Sequence, residues 1–152
     1  MRIGIGADAN GLDFKDEIKK FIEETTDHTV VDYGCKSHED IDYPETSYDV
    51  AKAVSEGEVD RGILICGTGI GVAIAANKYP GIRAATAHDV YSAERAQLSN
   101  NAQIITMGAQ IIGIEVGKKV VEAYLNVEWA KGSERKVNKI IDIENKFVKE
   151  EK

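Results

Sequence analysis

The chain has 152 residues, enough for one domain (1–152) with a sizeable core, and its 43% hydrophobic and 30% charged residues are the balance of an ordinary soluble globular protein. With 19 Lys and Arg against 26 Asp and Glu, the net charge is −7. That acidity leaves no electrostatic footprint for nucleic acid and gives an anionic substrate no global steering, so any phosphate site must be local. No apolar run reaches the roughly 18 residues of a membrane span.

The opening Met1-Arg2-Ile3-Gly4-Ile5-Gly6 reads as a strand and not as a signal peptide. Strands are expected at Arg2–Ala7, Thr29–Tyr33, Gly62–Cys66, Arg83–Ala87 and Gln103–Met107. All are short, continuous apolar runs of the kind that fill a parallel sheet covered on both faces. Amphipathic helices fall between them. Phe14, Ile18, Phe21 and Ile22 make one apolar stripe, and Pro44 suits the first turn of a second helix ending near Glu56. A third follows Gly67-Thr68-Gly69 and stops near Tyr79-Pro80-Gly81, Asp89 can cap a fourth, and Gly113–Leu125 forms a fifth. The alternation predicts an α/β fold: a doubly wound, Rossmann-like parallel sheet of about five strands.

Ser133–Glu151 carries a further stripe, Val137, Ile140, Ile141, Phe147 and Val148, with a charged opposite face and no obvious sheet face left to cover. It is either a terminal helix folded on its own domain or an arm, from about residue 130 to 152, packed on a second subunit.

The two cysteines, Cys35 and Cys66, make neither a disulfide framework nor a C-x-x-C pair, so they are expected as reduced thiols in a cytoplasm. The three histidines, His28, His38 and His88, lack paired metal-ligand spacing, which argues against a metal site. In open α/β sheets ligands bind at the carboxyl ends of the strands. Three such ends carry suitable groups: Asp8, the segment Cys66 to Gly71, and His88-Asp89.

Cys66-Gly67-Thr68-Gly69-Ile70-Gly71 is the strongest signal. Glycines let backbone N–H groups approach a ligand, and the following helix N-terminus favours an anion, so the loop can hold a phosphate or a developing oxyanion. A cysteine thiolate there would lie at the positive end of the same dipole. The spacing G-x-G-x-G, with Val72 where a dinucleotide loop needs glycine, and the absence of G-K-[S/T] exclude both nucleotide fingerprints. The bland reading is a tight strand-to-helix turn with a small buried cysteine. Asp8 is open to two roles, helix cap or partner of substrate hydroxyls, and Asn100 to helix terminus or ligand contact. His88 is a titrating group at a strand end or simply exposed, and Arg135-Lys136 a phosphate site or a solvated pair.

Several longer segments resemble the ribose-5-phosphate isomerase B and galactose-6-phosphate isomerase family, nearly end to end. They include Ile3-Gly4-Ile5-Gly6-Ala7-Asp8, Val31-Asp32-Tyr33-Gly34, Asp42-Tyr43-Pro44 and Gly57 through Gly71. They continue with Ala75-Ala76-Asn77-Lys78-Tyr79-Pro80-Gly81-Ile82-Arg83-Ala84 and His88-Asp89-Val90-Tyr91-Ser92-Ala93. The resemblance implies a Rossmann-like fold, a homodimer or pair of dimers with the C-terminal segment reaching a neighbour, and no metal or organic cofactor. It implies that Cys66, with Thr68 beside it, removes the proton next to a sugar-phosphate carbonyl. The cis-enediolate is then held by backbone N–H groups from Gly67 through Gly69 and Ile70 to Gly71.

The departures narrow that implication. Ala9 stands where the family has the histidine of D-H-x-G, Ser99 where it has its ring-opening histidine before Asn100, and Gln110 where an arginine often follows. The two phosphate arginines become Gly132 and Lys136; lysine gives up bidentate phosphate binding. Three readings accommodate this. The protein is an isomerase with a shifted substrate, such as an open-chain tetrose phosphate or a sugar for which His88 serves as acid. Or it is one subunit of a heteromer whose sister supplies the missing groups. Or it is a non-catalytic sugar-phosphate binder, against which the intact Cys66 loop argues. The first is preferred.

Overall fold

The structure, a computed structural model, describes residues 1–37 and 41–148. His38 therefore lies outside the described residues, as does the end of the segment read as Ser133–Glu151. Among the described residues five strands form: β1 (Arg2–Ala7), β2 (Thr29–Asp32), β3 (Arg61–Cys66), β4 (Ala84–Thr86) and β5 (Ile104–Gly108). They make one all-parallel sheet in the order β2-β1-β3-β5-β4. The helices are α1 (Leu12–Thr25), α2 (Tyr43–Ser55), α3 (Ile70–Ala76), α4 (Val90–Asn100), α5 (Ile114–Leu125) and α6 (Glu134–Asn145), with a 3₁₀ turn at Ala9–Gly11. This is the Rossmann-like architecture expected from the alternation of short strands and helices.

The Ile-Gly-Ile-Gly opening explains how the two layers fit. Along β1 the side chains alternate, so Ile3, Ile5 and Ala7 enter the core shared with α1, α4 and α5, whose buried residues include Ile18, Ala93, Val121 and Tyr124. The glycines face the other way. A Cβ on Gly6 would stand 2.4 Å from Thr46 and one on Gly62 2.7 Å from Val50, so these positions stay bare to let α2 close on the sheet. There Leu64, Val72, Ala76 and Ile104 complete a second core with Val50 and Ala51.

The strand ends differ from the sequence reading only at the margins. β4 is shorter than Arg83–Ala87: the Arg83 N–H donates to Gln103 Oε1 at 2.8 Å instead of to a strand carbonyl, and its guanidinium donates to the carbonyls of Asn100 and Asn101. β2 is an edge strand, so its residues are half-buried or exposed instead of covered on both faces. α3 ends at Ala76, before the expected stop; Tyr79 and Ile82 close turns leading to Gly81, whose φ of 84° needs glycine. Asp89 caps α4 as expected, its Oδ1 accepting from the Ser92 N–H at 2.7 Å.

α6 ends at Asn145, so Phe147 and Val148 lie beyond it. Val137 is buried, whereas Ile140, Ile143, Phe147 and Val148 are exposed. Glu144 accepts from the Gly81 N–H at 2.9 Å, which ties α6 to the turn before β4.

Candidate active site

β1 sends its crossover to β2 through α1 on one face, while β3 sends its crossover to β4 through α3 on the other. The carboxyl ends of β1 and β3 therefore diverge, which opens a crevice where doubly wound proteins hold their ligands. Asp8 and Cys66 flank it. The cleft has a volume of about 480 Å³ and is lined by Asp8, Asn10, Tyr43, Cys66, Gly67, Thr68, Ile70, Gly71, Ile74 and Gln110.

Cys66 ends β3 and is 5% exposed. Its Sγ accepts a hydrogen bond from the Gly69 N–H at 3.1 Å, because Gly69 takes the left-handed conformation (φ 77°) that turns the chain into α3. A negative charge on sulfur would strengthen that bond. Thr68 is exposed at the tip of the loop, and its Oγ1 accepts from the Ile70 N–H at 3.3 Å. Two glycines are bare for packing reasons. A Cβ on Gly108 would stand 2.5 Å from the Thr68 carbonyl carbon, and one on Gly71 2.7 Å from the Tyr43 ring.

Asp8 fulfils its bland role and still borders the cleft. Its Oδ1 accepts from the Gly11 N–H at 3.1 Å, capping the 3₁₀ turn, while its backbone N–H donates to the Ile65 carbonyl across the crevice. Ala9 lies in that turn but not among the cleft-lining residues, which Asn10 joins in its place.

His88 stands behind the loop instead of in the cleft. Its Nε2 accepts from the Gly108 N–H at 2.9 Å, so the lone pair is engaged and the ring proton sits on Nδ1. That hydrogen bond ties the β4 and β5 ends together at Gly108, the residue paired with Cys66 across β3 and β5, and His88 is not among the residues lining the cleft.

Ser99, Asn100 and Lys136 fall elsewhere. α4 starts at the carboxyl end of β4 and runs back, so Ser99 and Asn100 close its last turn at the amino ends of the strands. Asn101 there adopts φ 46°, a helix terminus, and the Asn100 carbonyl accepts from Arg83. Lys136 is exposed in the first turn of α6, beyond the loop that Arg61 anchors from the start of β3 through the Tyr124 and Val127 carbonyls. Within one chain these three residues and Cys66 occupy opposite ends of the sheet.

Sequence reasoning did not single out Tyr43, Asn10 or Ile74 as site residues. Asn10 had a signal in its place beside Asp8, and Gln110 stood out as a departure from a family pattern. Tyr43 stood only within the Asp42-Tyr43-Pro44 segment and Ile74 had no signal, since α2 and α3 bring them to the rim only on folding.

Fold and cleft together define an α/β protein with a cleft of small-molecule size at the carboxyl ends of its central strands, where doubly wound proteins hold ligands. The model of the ribose/galactose isomerase family matches residues 3–141. The chain is 46% identical to the D-erythrulose-4-phosphate isomerase of Pectobacterium atrosepticum, over 92% of this chain and 93% of that one. To the ribose-5-phosphate isomerase B of Escherichia coli it is 40% identical, over 95% and 97% of the two. The solved ribose-5-phosphate isomerase B of Clostridium thermocellum superposes with a TM-score of 0.94 at 42% identity, covering 97% of this chain and all of that one. The chain belongs to the ribose/galactose isomerase family of sugar-phosphate isomerases.

Proposed function

We propose that this protein interconverts the aldose and ketose forms of an open-chain tetrose phosphate, with Cys66 as the base. The observation that carries the reaction is the Cys66 sulfur at the floor of the cleft, held by the Gly69 N–H at 3.1 Å. The thiolate takes the proton from the carbon next to the carbonyl, giving a cis-enediolate. Backbone N–H groups of the Gly67 to Gly71 loop other than that of Gly69, which holds the sulfur, and the Thr68 hydroxyl hold its oxygens, and the proton returns to the adjacent carbon. Asp8, beside Asn10 at the other wall, binds substrate hydroxyls. No cofactor is called on.

The substrate class follows from Ser99. A serine hydroxyl cannot do the proton transfer of an imidazole near neutral pH. A tetrose 4-phosphate does not need that transfer. The oxygen that would close a furanose ring carries the phosphate, so the sugar stays open. A pentose 5-phosphate, whose fourth oxygen is free, closes. The 46% identity to a D-erythrulose-4-phosphate isomerase supports the same choice.

Because Ser99, Asn100 and Lys136 lie at the end of the sheet away from Cys66, the complete site draws them from a second copy. The exposed apolar residues Ile140, Ile143 and Phe147 of the C-terminal arm support a homodimer or pair of dimers. The match over residues 3–141 supports reading the chain as one isomerase domain. Cys35 and Cys66 form no disulfide, which fits a reducing cytoplasm, and no helix among the described residues is long and apolar enough to cross a membrane.

The test is an isomerase assay of the protein alone on tetrose, pentose and hexose phosphates, with Cys66→Ala alongside. The expected result is highest kcat/KM on the tetrose phosphate and a fall of about a thousandfold in the variant. Highest activity on a hexose phosphate defeats the substrate assignment, and unchanged activity in Cys66→Ala defeats the base. Activity that appears only on mixing with a sister subunit favours the heteromer.

A further inference from the structure

β5 reads Ile104-Ile105-Thr106-Met107, and Thr106 is fully buried in the middle of it. A valine would suit that apolar run. Burying a hydroxyl there costs free energy unless it is hydrogen-bonded. Its partner is the carbonyl of Gly69, to which Thr106 Oγ1 donates at 2.7 Å. Thr86, directly paired with Thr106 across β4 and β5, brings its own Oγ1 to 3.2 Å from the same carbonyl and 3.0 Å from the Thr106 hydroxyl.

Gly69 is therefore held at both ends. Its N–H is committed to Cys66 Sγ, and its carbonyl to the threonine pair. Between them the backbone sits at φ 77°, with the Gly69 α-carbon pressed so close to β5 that an added Cβ would stand 2.7 Å from the Met107 carbonyl carbon. A glycine has wide conformational freedom, and a donor that must point at one sulfur needs that freedom removed. We infer that the hydroxyls of Thr106 and Thr86 are positioning groups that fix Gly69 so that its N–H stays on Cys66. Neither hydroxyl touches the substrate. Both act through the loop, and for their effect on turnover they rest on the isomerase reading above.

The experiment compares Thr106→Val, which keeps the shape and removes the hydroxyl, with Thr106→Ser, which keeps the hydroxyl. Three quantities are read: kcat and KM on the tetrose phosphate, the rate at which iodoacetamide alkylates Cys66 at fixed pH without substrate, and the thermal midpoint. Peptide mapping separates Cys66 from the fully buried Cys35.

The expected result for Thr106→Val is a kcat lowered about tenfold with KM within about twofold, and alkylation slowed several-fold because the N–H no longer stabilises the sulfur anion. Thr106→Ser restores both. Wild-type turnover and alkylation in Thr106→Val overturn the proposal. So does an equal loss in Thr106→Ser, which would trace the effect to packing. Should Thr106→Val not fold, Thr86→Val on the edge strand carries the same readouts. A drop of about threefold is expected there, and wild-type values overturn the proposal. If the wild-type protein isomerises none of the sugar phosphates, the functional reading fails, while the alkylation comparison still decides whether the threonines position Gly69.

Discussion

Gly69 shows how much a single position carries. Its φ of 77° and the 2.7 Å that would separate an added methyl from the Met107 carbonyl carbon leave no room for a side chain. Gly69→Ala is expected to cost about 2 kcal/mol of stability from left-handed strain and overlap, read by urea denaturation, and to lower kcat by removing the N–H from Cys66. Ser99 makes a separate prediction. Ser99→His restores the imidazole that a cyclic substrate needs, so kcat/KM on ribose 5-phosphate should rise relative to the tetrose phosphate; an unchanged ratio counts against the open-chain reading. At this scale the cysteine and its glycines were legible because their chemistry is local: a thiol, then bare backbone, then a helix start. Thr106 and Thr86 were not, because their hydroxyls acquire a function only when β4, β5 and the loop meet.

Among the elements, β2 and α1 are joined by a buried ion pair. Lys15 is fully buried, and its Nζ donates to both oxygens of Asp32 at 2.9 and 3.0 Å and to the Cys35 carbonyl. Lys15→Met leaves Asp32 with Lys19 at 3.9 Å and the Gly34 N–H at 2.8 Å, so it is expected to cost about 2 kcal/mol in urea denaturation. At the amino end, the Arg2 N–H donates to Asp60 Oδ2 at 2.7 Å. That hydrogen bond, with the guanidinium beside it, holds the Asp60 carboxyl below its ordinary 3.8. A carboxyl lowered on folding adds stability above its unfolded value, and that stability is lost as the pH falls through the folded one. The stability difference between wild type and Asp60→Asn should therefore shrink below about pH 3.8; a constant difference rules the linkage out. Helix positions were legible from their stripes and caps. Their lengths were less so: α3 stops at Ala76, where Pro80 has no N–H for the Ala76 carbonyl and the Asn77 side chain ties the chain to Ala84, a partner seven residues on.

For the whole molecule, the exposed apolar arm makes the prediction. Ile143 is 57% exposed on α6 and Phe147 79% exposed just beyond it, a poor surface for an isolated chain. Light scattering should find a dimer or tetramer, and Ile143→Asp should lower both the mass and the isomerase activity. Loss of assembly with full activity would show that one chain holds a complete site.

The sequence by itself determined the class of fold, because apolar periodicity and turn residues are written locally, and it singled out the Cys66 loop, because glycine spacing and a thiol are adjacent in the chain. Only the tertiary structure decided which residues share the cleft. Strand order brings Asp8 to Cys66, α2 carries Tyr43 over Gly71, and the direction of α4 takes Ser99 to the far end of the sheet. Each of these is a long-range packing outcome, set by which faces bury one another, and no short stretch of residues encodes it.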